Sequence, residues 1–305
     1  MRLLIIGASS YLGGHLRRAA GAAGADVVTS GRSPGLDVRL DLVNDPVSRI
    51  ASVVSSAAPG AVVNCAGATG GGAGVLSAAN VTAVRRLLAA LARLPSPPRL
   101  VHIGSAAEYG PGRPGVPLAE TAAACPAGLY GVTKLAGTAL VELGRALGLD
   151  AVALRVFNVV GAGAPAGTLP GDAAARLRRL AAAGGPGTLR FGPLDGVRDF
   201  IDARDVADAV LAAAAAPSLP HPVINVGSGT GLPARALVGL LVEASGQEVT
   251  VTESADASGF APAARSPARS WQQADITRAA GDLGWRPRRR LAAAVADLWE
   301  AACLS

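Results

Sequence analysis

Tyr130 and Lys134 stand four residues apart in Tyr130-Gly131-Val132-Thr133-Lys134, a spacing that puts phenol and amine on one face of a helix. A free phenol, with a pKa of about 10, is a poor proton donor or acceptor near neutrality. An ammonium one turn away stabilises the phenolate and makes such a group useful for proton transfer. A third polar residue, Ser105, closes the apolar run Leu100-Val101-His102-Ile103-Gly104. A strand ending there carries the hydroxyl to the carboxyl edge of a sheet, where the Tyr130 helix also begins after Cys125-Pro126. The residues that follow Ser105 are chemically inert toward that edge. Ala106 and Ala107 cannot act as acid or base, and Glu108, one place further along an extended segment, would face the opposite side.

A second constellation opens the chain. Gly7-Ala8-Ser9-Ser10-Tyr11-Leu12-Gly13-Gly14 follows the apolar run Leu3-Leu4-Ile5-Ile6 and leads into an amphipathic stretch. A strand-to-helix turn of small residues lets a pyrophosphate approach the backbone N–H groups of a helix N-terminus, where the helix dipole also favours negative charge. Ser10 holds the middle of the turn. Its Cβ partly obstructs close approach, while its hydroxyl can donate to a phosphate oxygen.

These groups need a scaffold that brings them to one edge. Apolar runs at Leu3 to Ile6, Asp26 to Thr29, Ala61 to Asn64, Leu100 to Ile103 and Ala151 to Val156 lie about 25 to 50 residues apart, enough for a crossover helix each time. The pattern predicts an α/β chain with a parallel sheet buried on both faces. Helices are expected at about 12–24, 46–57, 75–93, 128–147, 171–183, 204–215, 233–245 and 291–302. Half of the 305 residues are hydrophobic, 16% are charged and three are cysteines, which excludes a disordered tail protein and a disulfide framework. Cys65, Cys125 and Cys303 are widely spaced, without a metal-ligand pattern, and read as buried thiols in a reducing cytoplasm. No apolar run is long enough for a membrane span. The 28 Lys plus Arg against 22 Asp plus Glu, with pI near 10.0, predict an anionic partner: nucleic acid, membrane surface or a phosphorylated small molecule.

Gly7, Ser10 and Gly13 stand where the extended short-chain dehydrogenases/reductases, the NAD-dependent epimerase/dehydratase group, carry Gly-x-x-Gly-x-x-Gly, and further segments resemble that family in order. They are Asp41-Leu42, Asn64-Cys65-Ala66-Gly67, Tyr130 to Lys134, Arg155-Val156-Phe157-Asn158, Arg198-Asp199-Phe200-Ile201-Asp202, Asn225-Val226-Gly227-Ser228 and Leu283-Gly284-Trp285. The resemblance implies a Rossmann-type doubly wound sheet with a smaller C-terminal substrate-binding lobe. Residues 1–160 with about 190–228 would hold the cofactor, and about 161–189 with 229–305 a nucleotide-diphosphate sugar. It further implies that Gly7, Ser9, Ser10, Tyr11, Leu12, Gly13, Arg32, Asp41, Leu42, Cys65, Ala66, Gly67 and Asn80 line the cofactor. In the family's triad Tyr130 transfers a proton, Lys134 holds the ribose and tunes Tyr130, and Ser105 bonds the substrate oxygen. Ser105, Ala106, Asn158, Arg198 and Arg269 would touch substrate; Arg265 is open either way, and Arg155 is expected to pair inside the fold.

After the second apolar run, Thr29-Ser30-Gly31-Arg32 lacks the acid that accepts from a ribose 2′-hydroxyl. Arg32 either grips a 2′-phosphate or is solvated surface, and NADP(H) is favoured over NAD(H). The family's dehydratases place acids directly after the catalytic hydroxyl, and their absence disfavours dehydration. The expected activity is reduction of the C4 carbonyl of a nucleotide-linked 4-keto-6-deoxy sugar by a cytoplasmic homodimer. The alternatives are an NAD-dependent 4-epimerase and a non-catalytic nucleotide-sensing module. No aromatic stripe, helix-turn-helix or zinc spacing supports nucleic acid as partner.

Overall fold

The computed structural model describes residues 1–184, 186–254 and 270–304. The first half of the chain supplies β1 (Arg2–Ile6), β2 (Asp26–Gly31), β3 (Val38–Arg39), β4 (Ala61–Asn64), β5 (Arg99–Ile103) and β6 (Ala151–Val156). The second half supplies β7 (Asn158–Val160), β8 (Gly187–Phe191), β9 (Val197–Asp202), β10 (Val223–Val226), β11 (Gly231–Pro233), β12 (Val249–Glu253) and β13 (Trp271–Gln272). A seven-stranded parallel sheet runs β10-β6-β5-β4-β1-β2-β3. The strand order turns back between β1 and β4, which opens a crevice at their carboxyl ends.

The strands are apolar at consecutive positions because helices cover both sheet faces. Leu3, Ile5, Val63, Val101 and Leu154 enter one buried cluster. Their neighbours Leu4, Ile6, Val62, Leu100 and Ala153 enter the other. Successive side chains of a strand point to opposite faces, so both registers must be apolar. Helices Tyr11–Ala22, Val47–Ala57, Leu129–Ala146, Leu169–Ala183, Ala203–Ala215, Ala234–Ser245 and Leu291–Cys303 fall within two residues of their expected places. The two-residue β3 and the helix Thr277–Leu283 have too little periodicity to be read from sequence, so the strand expected as third is β4. The helix Ala73–Leu91 is long and apolar enough to cross a bilayer by length and composition, but its Leu76, Val84, Leu87 and Leu91 are buried in the fold.

Beyond β6 the chain builds a smaller layer. β9 pairs with β7, β11 and β13, while β8 pairs with β12. β13 also reaches the large sheet's edge, because Gln272 Nε2 donates to the carbonyls of Ala106 (3.3 Å) and Gly110 (2.9 Å).

Candidate active site

Gly7 ends β1 at φ +80°, a conformation that L side chains rarely adopt, and a Cβ there would stand 2.6 Å from Ala66 N. A Cβ on Gly13 would stand 2.2 Å from Gly7 O. The two missing side chains allow helix Tyr11–Ala22 to start directly on the strand end, with its N–H groups open to an anion. Ser10 Oγ caps the helix by accepting from Gly13 N at 3.1 Å and donates to Cys65 O at 3.3 Å, which closes the turn. Ser9 Oγ lies 2.9 Å from Ser33 Oγ on the exposed side of the turn. Tyr11 Oη donates to Gly161 O at 3.3 Å, tying the turn to the segment after β7, and burial raises its pKa. Leu12 packs against the core beneath.

The next strand ends supply the rest of the floor. Arg32 is exposed just past β2, and its charge helps hold the Asp41 carboxyl low. Burial works against that shift, and hydrogen bonds from Asn44 and Val43 outweigh it. The Leu42 side chain is buried in the core cluster. After β4, Asn64 Oδ1 accepts from Ala66 N (3.1 Å), and Asn80 spans the loop by accepting from Ala68 N (3.0 Å) and donating to Ala68 O (2.9 Å). Asn80 also donates to Thr133 Oγ1 at 3.1 Å, so it is a buried clamp between the loop at Gly67 and the helix of Tyr130. Burial pushes the Cys65 thiol up to about 12, with the charge of Lys134 opposing it. This cradle, with its two positions that a Cβ would fill, fits a dinucleotide.

Tyr130 and Lys134 lie on helix Leu129–Ala146, whose first turn sits on the Ser105 segment; a Cβ on Gly131 would stand 2.4 Å from Ala107 O. The glycine directly after the tyrosine is the signal that sequence reading passed over. Lys134 is the chain's only lysine and is buried, with Nζ donating to Ile103 O two residues before Ser105. Ser105 Oγ accepts from Ala107 N at 3.2 Å, and its own proton has no acceptor among the described residues. The segment after Ser105 is not extended as expected: Ala106–Glu108 form a 3₁₀ turn, which swings Glu108 back into the core. There it pairs with Arg155 at 2.8 Å, fully buried, so it is withdrawn from substrate by folding rather than by strand alternation.

Beyond β6 Asn158 Nδ2 donates to Asp199 O at 3.1 Å, and Arg198 donates to the carbonyls of Val197 (2.7 Å) and Ser270 (2.9 Å). Arg204, Arg278 and Arg289 each have a carboxylate partner; Arg198 has none among the described residues, and burial lowers its pKa. Asp199 is saturated by Ser228 N, Ser228 Oγ, Gly229 N and Ala274 N, which fixes the loop after β10. Arg265 and Arg269 lie outside the described residues. A cavity of about 660 Å³ lined by Ser228, Gln273, Asp275, Thr277 and Arg286 contains none of Ser105, Tyr130 and Lys134. Among the described residues no cluster of His, Cys, Asp and Glu could hold a metal ion.

Residues 3–227 match the NAD dependent epimerase/dehydratase family. The chain belongs to that family. It is therefore an NAD(P)-dependent oxidoreductase or epimerase of the extended short-chain dehydrogenase/reductase type. A dTDP-6-deoxy-L-talose 4-dehydrogenase (NAD(P)(+)) of Kitasatospora kifunensis is 40% identical over 98% of this chain and 95% of its own. RMD from Pseudomonas aeruginosa, solved with NADPH, shares the fold at TM-score 0.84 with 24% identity, covering 99% of this chain and 97% of that one. The UDP-glucose-4-epimerase of Stenotrophomonas maltophila, solved with NAD and formylated UDP-arabinopyranose, matches at TM-score 0.80 and 25% identity, over 99% of this chain and 98% of that one.

Proposed function

We propose that this family member interconverts the C4 hydroxyl and C4 carbonyl of a dTDP-linked 6-deoxyhexose, and that it reduces the 4-keto sugar when supplied with NADPH. One observation carries the reading: the site offers one proton-transfer phenol, Tyr130, while Ala106 and Ala107 are inert and Glu108 is locked to Arg155. That inventory suits a single hydride and proton exchange and leaves nothing to expel a C6 hydroxyl. The 40% identical 4-dehydrogenase supports the substrate class, since a 4-dehydrogenase and a 4-keto reductase run one reaction in opposite directions.

Hydride donation or acceptance is the chemistry a bound nicotinamide supplies; Gly7, Ser9 to Gly13, Cys65 to Gly67, Asn80 and Lys134 would hold it. Tyr130 passes its proton to the C4 oxygen, and Lys134 supplies the compensating positive charge. Ser105 donates its free hydroxyl proton to the same oxygen. Asn158 and Arg198 would face the sugar diphosphate, with Arg198 contributing a guanidinium that has no carboxylate partner among the described residues.

Arg32 at the tip of β2, where no carboxylate repels a 2′-phosphate, supports NADP(H). Arg32→Ala should lower the NADPH-to-NADH ratio of kcat/KM by about tenfold or more, since a charge-assisted phosphate contact contributes 1.5–3 kcal/mol, roughly. An unchanged ratio removes Arg32 from the cofactor site. The test of the reaction is NADPH oxidation with dTDP-4-keto-6-deoxy sugars, the product identified by NMR. Tightly retained NAD with no net turnover would instead favour a 4-epimerase, the activity named for the Stenotrophomonas relative. The apolar stripe Val132, Leu143 and Leu147, each about half exposed or more, suits a second copy of the chain, and sedimentation velocity distinguishes dimer from monomer. Cys125 and Cys303 are exposed, and Cys65 partly so, rather than buried as expected from cysteine's apolar character; as free thiols the three suit a reducing cytoplasm, which cell fractionation checks.

A further inference from the structure

Glu108 takes no part in the proposed chemistry, yet its carboxylate lies where the elements carrying that chemistry meet. It is 0% exposed. Oε1 accepts from Ser105 N at 2.8 Å and from Thr138 Oγ1 at 3.0 Å, and Oε2 accepts from Arg155 Nε at 2.8 Å. Ser105 follows β5; Thr138 lies one turn beyond Lys134 on the helix of Tyr130; Arg155 is on β6, three residues before Asn158. One side chain therefore receives donors from the serine segment, the tyrosine–lysine helix and the substrate-side strand.

The ion pair by itself does not account for this arrangement, since two charges withdrawn from water are on balance no better than a well-packed apolar pair of similar volume. What the carboxylate adds is direction. Oε1 draws the Ser105 backbone and the helix of Thr138 toward a single atom, and the same turn sets the Ser105 hydroxyl through Ala107 N. Arg155 holds the carboxylate in that orientation, and its guanidinium is fixed over the Tyr109 ring, 4.6 Å from the centroid. Tyr109 is anchored in turn by donating to Asn225 Oδ1 at 2.7 Å.

We propose that Glu108, oriented by Arg155, is a positioning residue that sets the spacing between Ser105 and the Tyr130–Lys134 face. The inference rests on the triad reading above. A displacement of about 1 Å in a reacting group can cost on the order of 100-fold in rate.

Three variants separate positioning from support of the fold. Glu108→Gln keeps an acceptor for Ser105 and Thr138 but leaves Arg155 charged and unpaired. The double variant Glu108→Leu/Arg155→Met removes both charges and the acceptor. Thr138→Val removes only the helix's donor. With the cofactor-loaded enzyme, Glu108→Gln should lose thermal stability while keeping kcat per folded molecule within about threefold. The double variant should melt at a lower temperature, because Ser105 N and Thr138 Oγ1 lose their acceptor, yet keep its cofactor affinity and lose about 30- to 100-fold in kcat per folded molecule with KM little changed. Thr138→Val should lose about three- to tenfold. The crystal structure of the double variant, which needs no substrate, should show the 106–108 turn displaced from the helix. If turn and helix superpose on the wild type, or if kcat is unchanged in both the double variant and Thr138→Val, Glu108 is only a core residue; should the double variant not fold, kcat per folded molecule of Thr138→Val decides the matter. Failure of the triad reading has its own signature: Tyr130→Phe would turn over like the wild type, whatever the Glu108 variants do.

Discussion

Replacing Lys134 by methionine should separate stability from activity. The side chain is 6% exposed, and among the described residues Nζ has a carbonyl, Ile103 O, but no carboxylate. Elsewhere the chain uses arginine for its cations, so an amine at this position answers a local requirement. Methionine keeps most of the apolar stem and removes the charge. Leaving Ile103 O without its donor costs about 1–3 kcal/mol. Relieving the desolvation of a buried cation returns several kcal/mol, roughly. The balance is between zero and about 2 kcal/mol in favour of the variant, a melting temperature unchanged or raised by up to about 4 °C. Activity moves the other way. On the proposed role, Tyr130 exchanges a proton with the C4 oxygen while the Lys134 ammonium supplies the compensating charge, and positioned acid–base catalysis of this kind contributes roughly 100-fold or more. In the alcohol-oxidising direction kcat should therefore fall by about 100-fold in the variant. Scanning calorimetry and the rate of NADPH formation per folded molecule read both quantities. Activity and melting temperature falling together in proportion, or kcat within about threefold of wild type, would refute the reasoning.

Two further outcomes follow from the geometry. Gly131→Ala should lower kcat by about 100-fold with cofactor binding retained, because its Cβ would stand 2.4 Å from Ala107 O and push the Tyr130 turn off the serine segment; equal kinetics would show that the turn yields freely. His102 is buried beside Asn64, and burial, with Lys134 adding to it, holds its pKa well below the ordinary value. The unfolded chain therefore takes up a proton below about pH 6.5 that the folded protein refuses. Stability is complete above that pH and should fall by about 1.4 kcal/mol per unit below it, until the folded value is reached. Urea titrations at pH 7.5 and 5.5 should show that His102→Gln loses this component, and identical pH slopes in variant and wild type would count against it.

The parallel sheet was legible because most of its strands carry apolar residues at consecutive positions, as burial on two faces demands, and because helix-length stretches separate most of them. The glycine turn was legible because Gly7 and Gly13 occupy places where a Cβ collides with backbone. Tyr130 and Lys134 were legible because helical spacing alone puts them on one face. Glu108 was legible as an acid but not in its role. An extended segment and a 3₁₀ turn differ at that point only through a capping interaction, and the partners that decide it, Thr138 and Arg155, are 30 and 47 residues away. Ser10 is a similar case, since its hydroxyl answers to Cys65 O, 55 residues on.

Local sequence determined which residue types are available and which elements carry them, because strand and helix periodicity and turn chemistry act over a few residues. Only the tertiary structure decided which polar groups neutralise one another and which remain for a ligand. Arg155 and Arg198 look alike in the chain, but among the described residues one is paired with a buried carboxylate and the other meets carbonyls alone. Hydrogen bonds and ion pairs act over about 3 Å, and only folding brings such partners together.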